Sequence, residues 1–393
     1  MTVKEYKFGK TSRSEFDKVV RVIGDALLIP EKDHVIIRKY LRRYGESNLR
    51  SLKCGSEIAG GLFAMRWGHF FGGKSVPAAG VAFVGVAPEY RRTGAASLLM
   101  AEAVREFYRE GLAISTLFPA NMPLYRKSGY EFAIELCMFK LRLENIRTRN
   151  MRLEVIRYEG SDPGPFRDVY RHFVGNSNGN VDRPDSQWAM VLDPIMPPGH
   201  DKFLVMDGEK VVGYIVTRKT EEKQPMWICD YAVRTREAAE RLLTFLGDHS
   251  SVIEYARWAG SSRDTLAMLL PSGKYEIEKR ATCMLRIVSV PGALRSRGYP
   301  KGIEAEVHLD VADDIVEENN GRWILKVKNG KGTVRKGGEG RMKINIRSLA
   351  QMYSGLLSPD ELCIIGELEA GKKELEMASA VFAGPSPWIC DSF

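Results

Sequence analysis

Between Ala95 and Glu110 the apolar residues Ala96, Leu99, Met100, Ala103 and Phe107 recur at spacings of three and four, which lines them up on one face of a helix. Gly111 stands just past that run, where a helix stop belongs. Val81 to Val86 and Ala113 to Phe118 are apolar runs of strand length, so the helix is predicted between two strands. Further helices are expected over Asp17 to Leu28 and Val35 to Tyr40, and a final strand pair at Tyr130 to Ala133 and Cys137 to Leu143. Ser51 to Arg66 carries Gly60 and Gly61 at its centre.

The same alternation returns less distinctly over residues 151–284. Phe203 to Val216 reads as a hairpin around the turn Asp207-Gly208. A strand over Met226 to Val233 leads into a helix over Arg236 to Phe245, and a strand over Val252 to Trp258 follows. Gly175 to Asn180 and Asp193 to Gly199 are rich in turn residues and are expected as surface loops. Residues 285–393 change character. Trp323 to Lys328 and Arg341 to Ile346 alternate like half-buried strands, and Arg347 to Leu357 reads as a helix.

Length agrees with this three-part division, since 393 residues at about 150 per domain allow two or three domains. With 44% hydrophobic and 27% charged residues, the composition is that of an ordinary globular protein. The longest apolar run, Gly80 to Ala87, is far short of the roughly 20 residues of a membrane span. The charged stretch from Met1 to Phe8 does not resemble a secretory leader. A soluble, cytoplasmic protein with no membrane partner is expected.

Lys and Arg number 58 against 50 Asp and Glu, a net charge of +8, which suits anionic ligands without choosing among them. Cys54, Cys137, Cys229, Cys283, Cys363 and Cys390 are scattered, and the six histidines show no ligand spacing, so no metal is expected. Charge is segregated near the end of the chain. Residues 322–347 hold nine basic residues and one acidic residue, whereas residues 351–393 hold seven acidic and two basic ones. Such a split predicts either ion pairs between these parts of the chain or between subunits, or simply solvated hairpin faces. Only Trp323 interleaves the basic run with an aromatic, so a single-stranded nucleic acid is not the expected partner.

The stretch that carries chemistry is Val84 to Ala96. A strand ends at Val86, a basic loop with Arg91, Arg92, Thr93 and Gly94 follows, and a helix begins near Ala95. Unpaired N–H groups at a helix start favour a phosphate, Gly94 and Ala96 permit close approach, and the arginines add charge. The loop has neither the Gly-Lys-Ser/Thr of a P-loop nor a Gly-x-Gly-x-x-Gly pattern. It is a pyrophosphate cradle in outline.

Arg91-x-x-Gly94-x-Ala96 after a Val-x-Val strand resembles the acetyl-coenzyme A motif of GNAT-type N-acetyltransferases, and Leu124-Tyr125-x-x-x-Gly129-Tyr130 resembles that superfamily's second signature. Over the whole chain, Arg91 to Gly94, Leu117 to Tyr125 and the aromatic end from Pro387 to Phe393 resemble the enhanced intracellular survival (Eis) family. Met284 to Val288 resembles the strand that opens that family's third domain. The resemblance implies an α/β (α+β) protein of two tandem GNAT-like mixed-sheet domains followed by a sterol-carrier-protein-like domain. Boundaries are expected at 1–150, 151–284 and 285–393. It also implies acetyl-CoA as co-substrate, amine acceptors such as aminoglycosides or lysine side chains, and a hexamer. In the second domain, Val233 to Ala238 lacks the cradle spacing, so no second coenzyme site is expected and the domain reads as architectural.

The resemblance implies roles as well. Val84, Gly85 and Val86 would pair with the pantetheine arm. Arg91, Arg92, Thr93, Gly94, Ala95, Ala96 and Ser97 would hold the pyrophosphate, with Asn121 beside the pantetheine. Tyr125 would be the general acid, since a phenol of pKa about 10 keeps its proton at neutrality. No His, Asp or Glu near the motif declares itself as the base, and Glu89 is expected to face solvent. The family takes its base from the chain's own end, here the α-carboxylate of Phe393. Asp25 could attract a cationic amine. The plain alternatives are a packing tyrosine, a frayed end, and, for the whole protein, a non-catalytic ligand-binding or assembly role on the same scaffold.

Overall fold

The computed structural model describes residues 5–195, 199–218, 225–271 and 273–393, which leaves Met196 to Pro198 of one predicted loop outside the described residues. The chain opens with β1 (Tyr6–Lys10), α1 (Phe16–Ala26), α2 (His34–Tyr44), β2 (Leu49–Cys54), β3 (Glu57–Phe71) and β4 (Lys74–Val86). It continues through α3 (Ala95–Arg109), β5 (Ile114–Leu117), α4 (Met122–Arg126) and β6 (Glu131–Arg142). A middle stretch holds β7 (Glu154–Arg157), α5 (Gly164–Val174), β8 (Val181–Asp182), α6 (Asp185–Leu192), β9 (His200–Asp207) and β10 (Lys210–Arg218). Next come β11 (Met226–Val233), α7 (Arg236–Gly247), β12 (Tyr255–Gly260), α8 (Thr265–Met268) and β13 (Tyr275–Ile287). The last stretch has α9 (Val290–Ser296), β14 (Ala305–Ala312), β15 (Gly321–Lys328), β16 (Lys331–Lys336), β17 (Met342–Asn345), α10 (Ile346–Ser354), α11 (Pro359–Ile364), β18 (Leu368–Glu369) and α12 (Lys372–Phe382).

These elements form two compact units. One holds the chain up to Ile134 with Cys283–Pro385 and Ser392–Phe393; the other holds Glu135–Thr282 with Ser386–Asp391. In the first unit β1, β2, β3 and β4 are antiparallel neighbours, β5 lies parallel to β4, and Met284–Ile287 of β13 runs antiparallel to β5. Met284 to Val288, read from the sequence as the strand that opens the third domain, thus places Met284–Ile287 beside β5 in the first unit. The stripe on α3 (Leu99, Met100, Ala103, Phe107) packs fully buried with Leu62, Ala64, Val81 and Leu117. At roughly 1.5–3 kcal/mol per large apolar side chain, this burial is what holds the helix to the sheet. On β3 and β4, Gly61 and Gly85 let α1 close in, since a Cβ there would lie 2.6 Å from Val19 Cγ1 and 2.9 Å from Ile23 Cα.

The same unit contains a second sheet in the order β16-β15-β14-β17-β18. The charge split resolves in part into ion pairs across this region: Lys343 lies 3.0 Å from Glu369 and Arg341 3.6 Å from Glu374. The predicted strand Arg341–Ile346 ends at Asn345, whose side chain caps α10 by accepting from Arg347 N and Ser348 N.

Within the second unit the strands run in the order β7-β9-β10-β11-β12, with Cys137–Arg142 of β6 paired to β12, and β11 and β12 are parallel. The two strands predicted around Ala133 and Cys137 are one continuous strand, β6, because no glycine or proline interrupts residues 131–142. The strand predicted from Val252 begins only at Tyr255, since Val252 N and Ile253 N turn back to the His249 carbonyl.

Gly175 to Asn180 is a loop but not a surface one: Asn178 and Asn180 are fully buried. They receive the tail, with Trp388 N donating to Asn178 O at 2.8 Å and Cys390 N to Asn180 Oδ1 at 3.1 Å. Below the loop, Arg183 is clamped between Asp230 (2.6 Å) and Asp391 (2.9 Å), all three side chains at most 2% exposed. Tyr214 donates to Asp230 at 2.7 Å and Gln187 to Asp391 at 2.6 Å. The Arg183 guanidinium also lies 3.9 Å from the Tyr170 ring centroid.

Asp264 caps α8 through Leu266 N (3.0 Å) and Ala267 N (3.1 Å) and accepts from Tyr231 at 2.6 Å. Burial pushes its carboxyl up to about 6, against the pull of those hydrogen bonds. A folded pKa above the unfolded 3.8 means that the stabilising contribution is complete below about 3.8 and lost as pH rises through about 6. Asp264→Asn is expected to flatten that part of the pH dependence. Thermal unfolding of both proteins between about pH 4 and 7 checks this.

Candidate active site

In the first unit, β4 and β5 are paired from Ala78↔Ile114 to Val81↔Leu117 and no further. β4 nevertheless runs on to Val86 beside β3. The cause is a bulge. Gly61 opposes Gly85 and Phe63 opposes Ala82, so β4 carries one residue more than β3 there, and Phe83 takes a left-handed φ of 51°. A bulge bends its strand and ends local pairing. The backbone of Val84 and Val86 is thereby turned away from a β5 partner, and a wedge opens between β4 and the segment after Leu117. Val84 is half-buried, and Gly85 and Val86 are buried.

At the head of the wedge, a short turn over Pro88–Tyr90 leads into an exposed loop, Arg91 to Gly94, and then into α3. Gly94 is the N-cap at φ 87°, with open space where a Cβ would stand and no side chain capping the helix. The first-turn N–H groups of Ala95, Ala96 and Ser97 are thus left to an external acceptor, as an anion site needs. Arg91 lies on the end of α1, with Nη2 3.3 Å from Ala26 O, and Arg92 takes a φ of 62°. Thr93 Oγ1 donates to Tyr90 O at 2.6 Å and accepts from Tyr6 at 2.6 Å. These contacts shape the loop before any ligand arrives. The residues fit a pyrophosphate held by the backbone and flanked by guanidiniums.

Asn121 spends its side chain on capping α4, accepting from Leu124 N at 3.3 Å. Tyr125, on that five-residue helix, is 6% exposed and packs edge-on against Tyr130 at 6.4 Å. Burial pushes its phenol above the ordinary value of 10, so it keeps its proton at neutral pH. Glu89 is exposed, as expected, and so is Asp25 near the end of α1.

Phe393 is seated rather than frayed. Its ring meets Trp67 edge-on at 4.7 Å and Phe118 at 5.5 Å. Trp67 Nε1 donates to His69 Nε2 at 3.1 Å, and Thr116 Oγ1 lies 3.0 Å from the same nitrogen. Sequence reasoning missed Tyr6, Trp67, His69, Thr116 and Phe118. The signal available was the period-two run Trp67, His69, Phe71 on β3, all pointing to one face. Opposite it, Gly80 makes room for the indole, because a Cβ there would lie 2.1 Å from Trp67 Cζ2. Gly80→Ala is expected to displace Trp67, lower the melting temperature by the equivalent of about 1–3 kcal/mol and shift the tryptophan emission. Calorimetry with fluorescence checks it.

Among the described residues no group of three or more His, Cys, Asp or Glu could hold a metal, and no helix is long and apolar enough to cross a membrane.

Residues 7–133 and 179–287 each match the acetyltransferase (GNAT) domain, and residues 290–390 match the sterol carrier protein domain. The GCN5-related N-acetyltransferase of Anabaena variabilis superposes with a TM-score of 0.94 at 34% identity, covering 99% of this chain and 100% of that one. An uncharacterized N-acetyltransferase of Streptomyces griseus is 26% identical over 353 residues, 82% of this chain and 83% of that protein. The N-acetyltransferase Eis of Mycobacterium tuberculosis is 26% identical over 293 residues, 70% of each. The chain belongs to the GCN5-related N-acetyltransferases, in their Eis-like group of two GNAT domains followed by a sterol carrier domain. It is an acyltransferase.

Proposed function

We propose that this enzyme moves an acetyl group from acetyl-CoA directly to a primary amine, with both bound at once in the first unit. The observation that carries the reading is the wedge between β4 and β5, headed by the glycine-capped start of α3. Acetyl-CoA would lay its pantetheine arm along Val84 to Val86 and its pyrophosphate over Arg91 to Ser97. When bound it supplies an activated acyl group. The rest is done by the chain. Tyr125 gives its phenolic proton to the departing sulfur, and the α-carboxylate of Phe393 takes a proton from the amine, directly or through a water. The seat formed by Trp67 and Phe118 would hold the chain end in place. Asp25 would draw the cationic amine toward the site.

The proposal extends to organisation. Residues 1–150 would be the catalytic domain, 151–284 a domain without a coenzyme cradle, and 285–393 the domain that delivers the chain end. The acceptor would be an aminoglycoside or lysine-type amine, the assembly a hexamer, and the compartment the cytoplasm.

Thiol release from acetyl-CoA against a panel of aminoglycosides and simple amines tests the reaction. Light scattering tests the assembly. Removing Phe393 alone is expected to lower kcat at least about tenfold, with acetyl-CoA still bound, because the new terminal carboxylate is one residue too short. Equal turnover by the shortened protein would remove Phe393 from the mechanism. An intact protein that binds acetyl-CoA yet acetylates no amine would favour the binding or assembly role.

A further inference from the structure

The second unit repeats the local geometry of the first. Its parallel pair β11 and β12 is matched only from Met226↔Ala256 to Ile228↔Trp258, while β11 runs five residues further, to Val233. In the first unit β4 likewise outruns its pairing with β5 by five residues, from Val81 to Val86. A strand that outruns its parallel pairing leaves a wedge, and at the end of β11 lies a cavity of about 470 Å³. That volume lies within the roughly 300–1,000 Å³ range of small-molecule sites.

Its walls differ from those of a coenzyme site in two ways. The connection from strand to helix is two residues, Arg234 and Thr235, where the first unit has the eight residues 87–94. Thr235 caps α7 itself, accepting from Ala238 N at 3.2 Å. No glycine-lined loop remains to wrap a pyrophosphate, and the helix start is already partly satisfied. The floor, in contrast, is apolar: Phe173, Val233, Ala239, Met268 and Leu269 line it, and Met268 is 55% exposed. Around it stand Arg234, Arg236 and Arg263. Arg236 is paired with Glu240 at 2.8 Å, whereas the guanidiniums of Arg234 and Arg263 have no ion-pair partner among the described residues.

We infer that this wedge binds a small carboxylate with an apolar body, its anion between Arg234 and Arg263 and its hydrocarbon part against Phe173, Met268 and Leu269. An apolar floor beneath two unpaired guanidiniums selects both halves of such a molecule. A neutral analogue forfeits the charge-assisted hydrogen bonds, and a small hydrophilic anion forfeits the apolar contact. The ligand is not acetyl-CoA, and the inference does not depend on the catalytic reading of the first unit.

Titration calorimetry on the full chain, with octanoate as the probe and 1-octanol and inorganic phosphate as controls, tests it. Octanoate is expected to bind, and each control at least about tenfold more weakly. Arg234→Ala with Arg263→Ala should weaken octanoate at least about tenfold and leave acetyl-CoA binding and amine turnover unchanged. Met268→Glu should also weaken octanoate, by placing a like charge in the apolar lining. No measurable octanoate binding, binding unaffected by the double substitution, or octanol or phosphate binding as well as octanoate would each overturn the proposal.

Discussion

Tyr125→Phe is expected to lower kcat by about 10²–10⁴-fold while leaving the KM for acetyl-CoA nearly unchanged. The argument begins with what the substitution keeps. Phenylalanine retains the ring that packs edge-on against Tyr130, and the hydroxyl makes no hydrogen bond to another described residue, so α4 and its Asn121 cap have no reason to move. What is lost is one proton donor. Burial holds the phenol above its ordinary value, which keeps it protonated over the whole neutral range. A departing thiolate without that donor must take its proton from water. The loss belongs to the transition state and therefore appears in kcat. Steady-state kinetics, with a melting curve to confirm the fold, decide the matter; turnover within twofold of the parent would leave Tyr125 as a packing residue.

Arg183→Met is expected to cost about 3–5 kcal/mol of stability, the largest effect foreseen for a single side chain outside the candidate active site. The guanidinium faces Asp230 and Asp391 with all three groups buried, so two carboxylates share one cation. Removing the cation leaves both carboxylates without their counter-charge and far from water. Methionine fills the space beside Tyr170 and Trp188 but answers neither charge. For a unit of this size the loss corresponds to a melting temperature lower by roughly 6–20 °C. Adding Asp230→Asn and Asp391→Asn to the same chain should restore much of it, because the penalty lies in the abandoned charges and not in the missing arginine. A single Arg183→Met protein that melts within a degree of the parent would refute the clamp. Asp391 lies two residues before Phe393, so the tail and its anchoring can be probed together by following turnover in these variants.

The helix over Ala95–Arg109 and its flanking strands were legible because helix and strand periods are set by neighbours within a few residues, and a stripe such as Leu99, Met100, Ala103 and Phe107 has one economical packing. The turn into that helix was legible for the same reason, since Gly94 acts through local backbone geometry. Long-range pairings were not. Arg183 sits in a polar stretch and reads as a surface arginine, and only the approach of Asp230 and Asp391 makes its burial sensible. Gly175 to Asn180 reads as a surface turn for the same cause, since its buried polar groups are answered by residues 388–390. The residues around Phe393 come from β3, from the segment after β5 and from the last position of the chain, which no local window contains.

The sequence by itself therefore determined the class of protein and the strand, turn and helix from Val81 to Arg109, because these are written in contiguous residues, and it named the cradle and Tyr125 as candidates there. Tertiary structure alone decided that β4 parts from β5 at a bulge, that Met284–Ile287 pairs with β5, and that β11 outruns its pairing with β12. Each of those depends on which distant strand pairs with which. That choice is made by the total burial and hydrogen bonding of the folded unit, and no short segment carries enough of either to announce it.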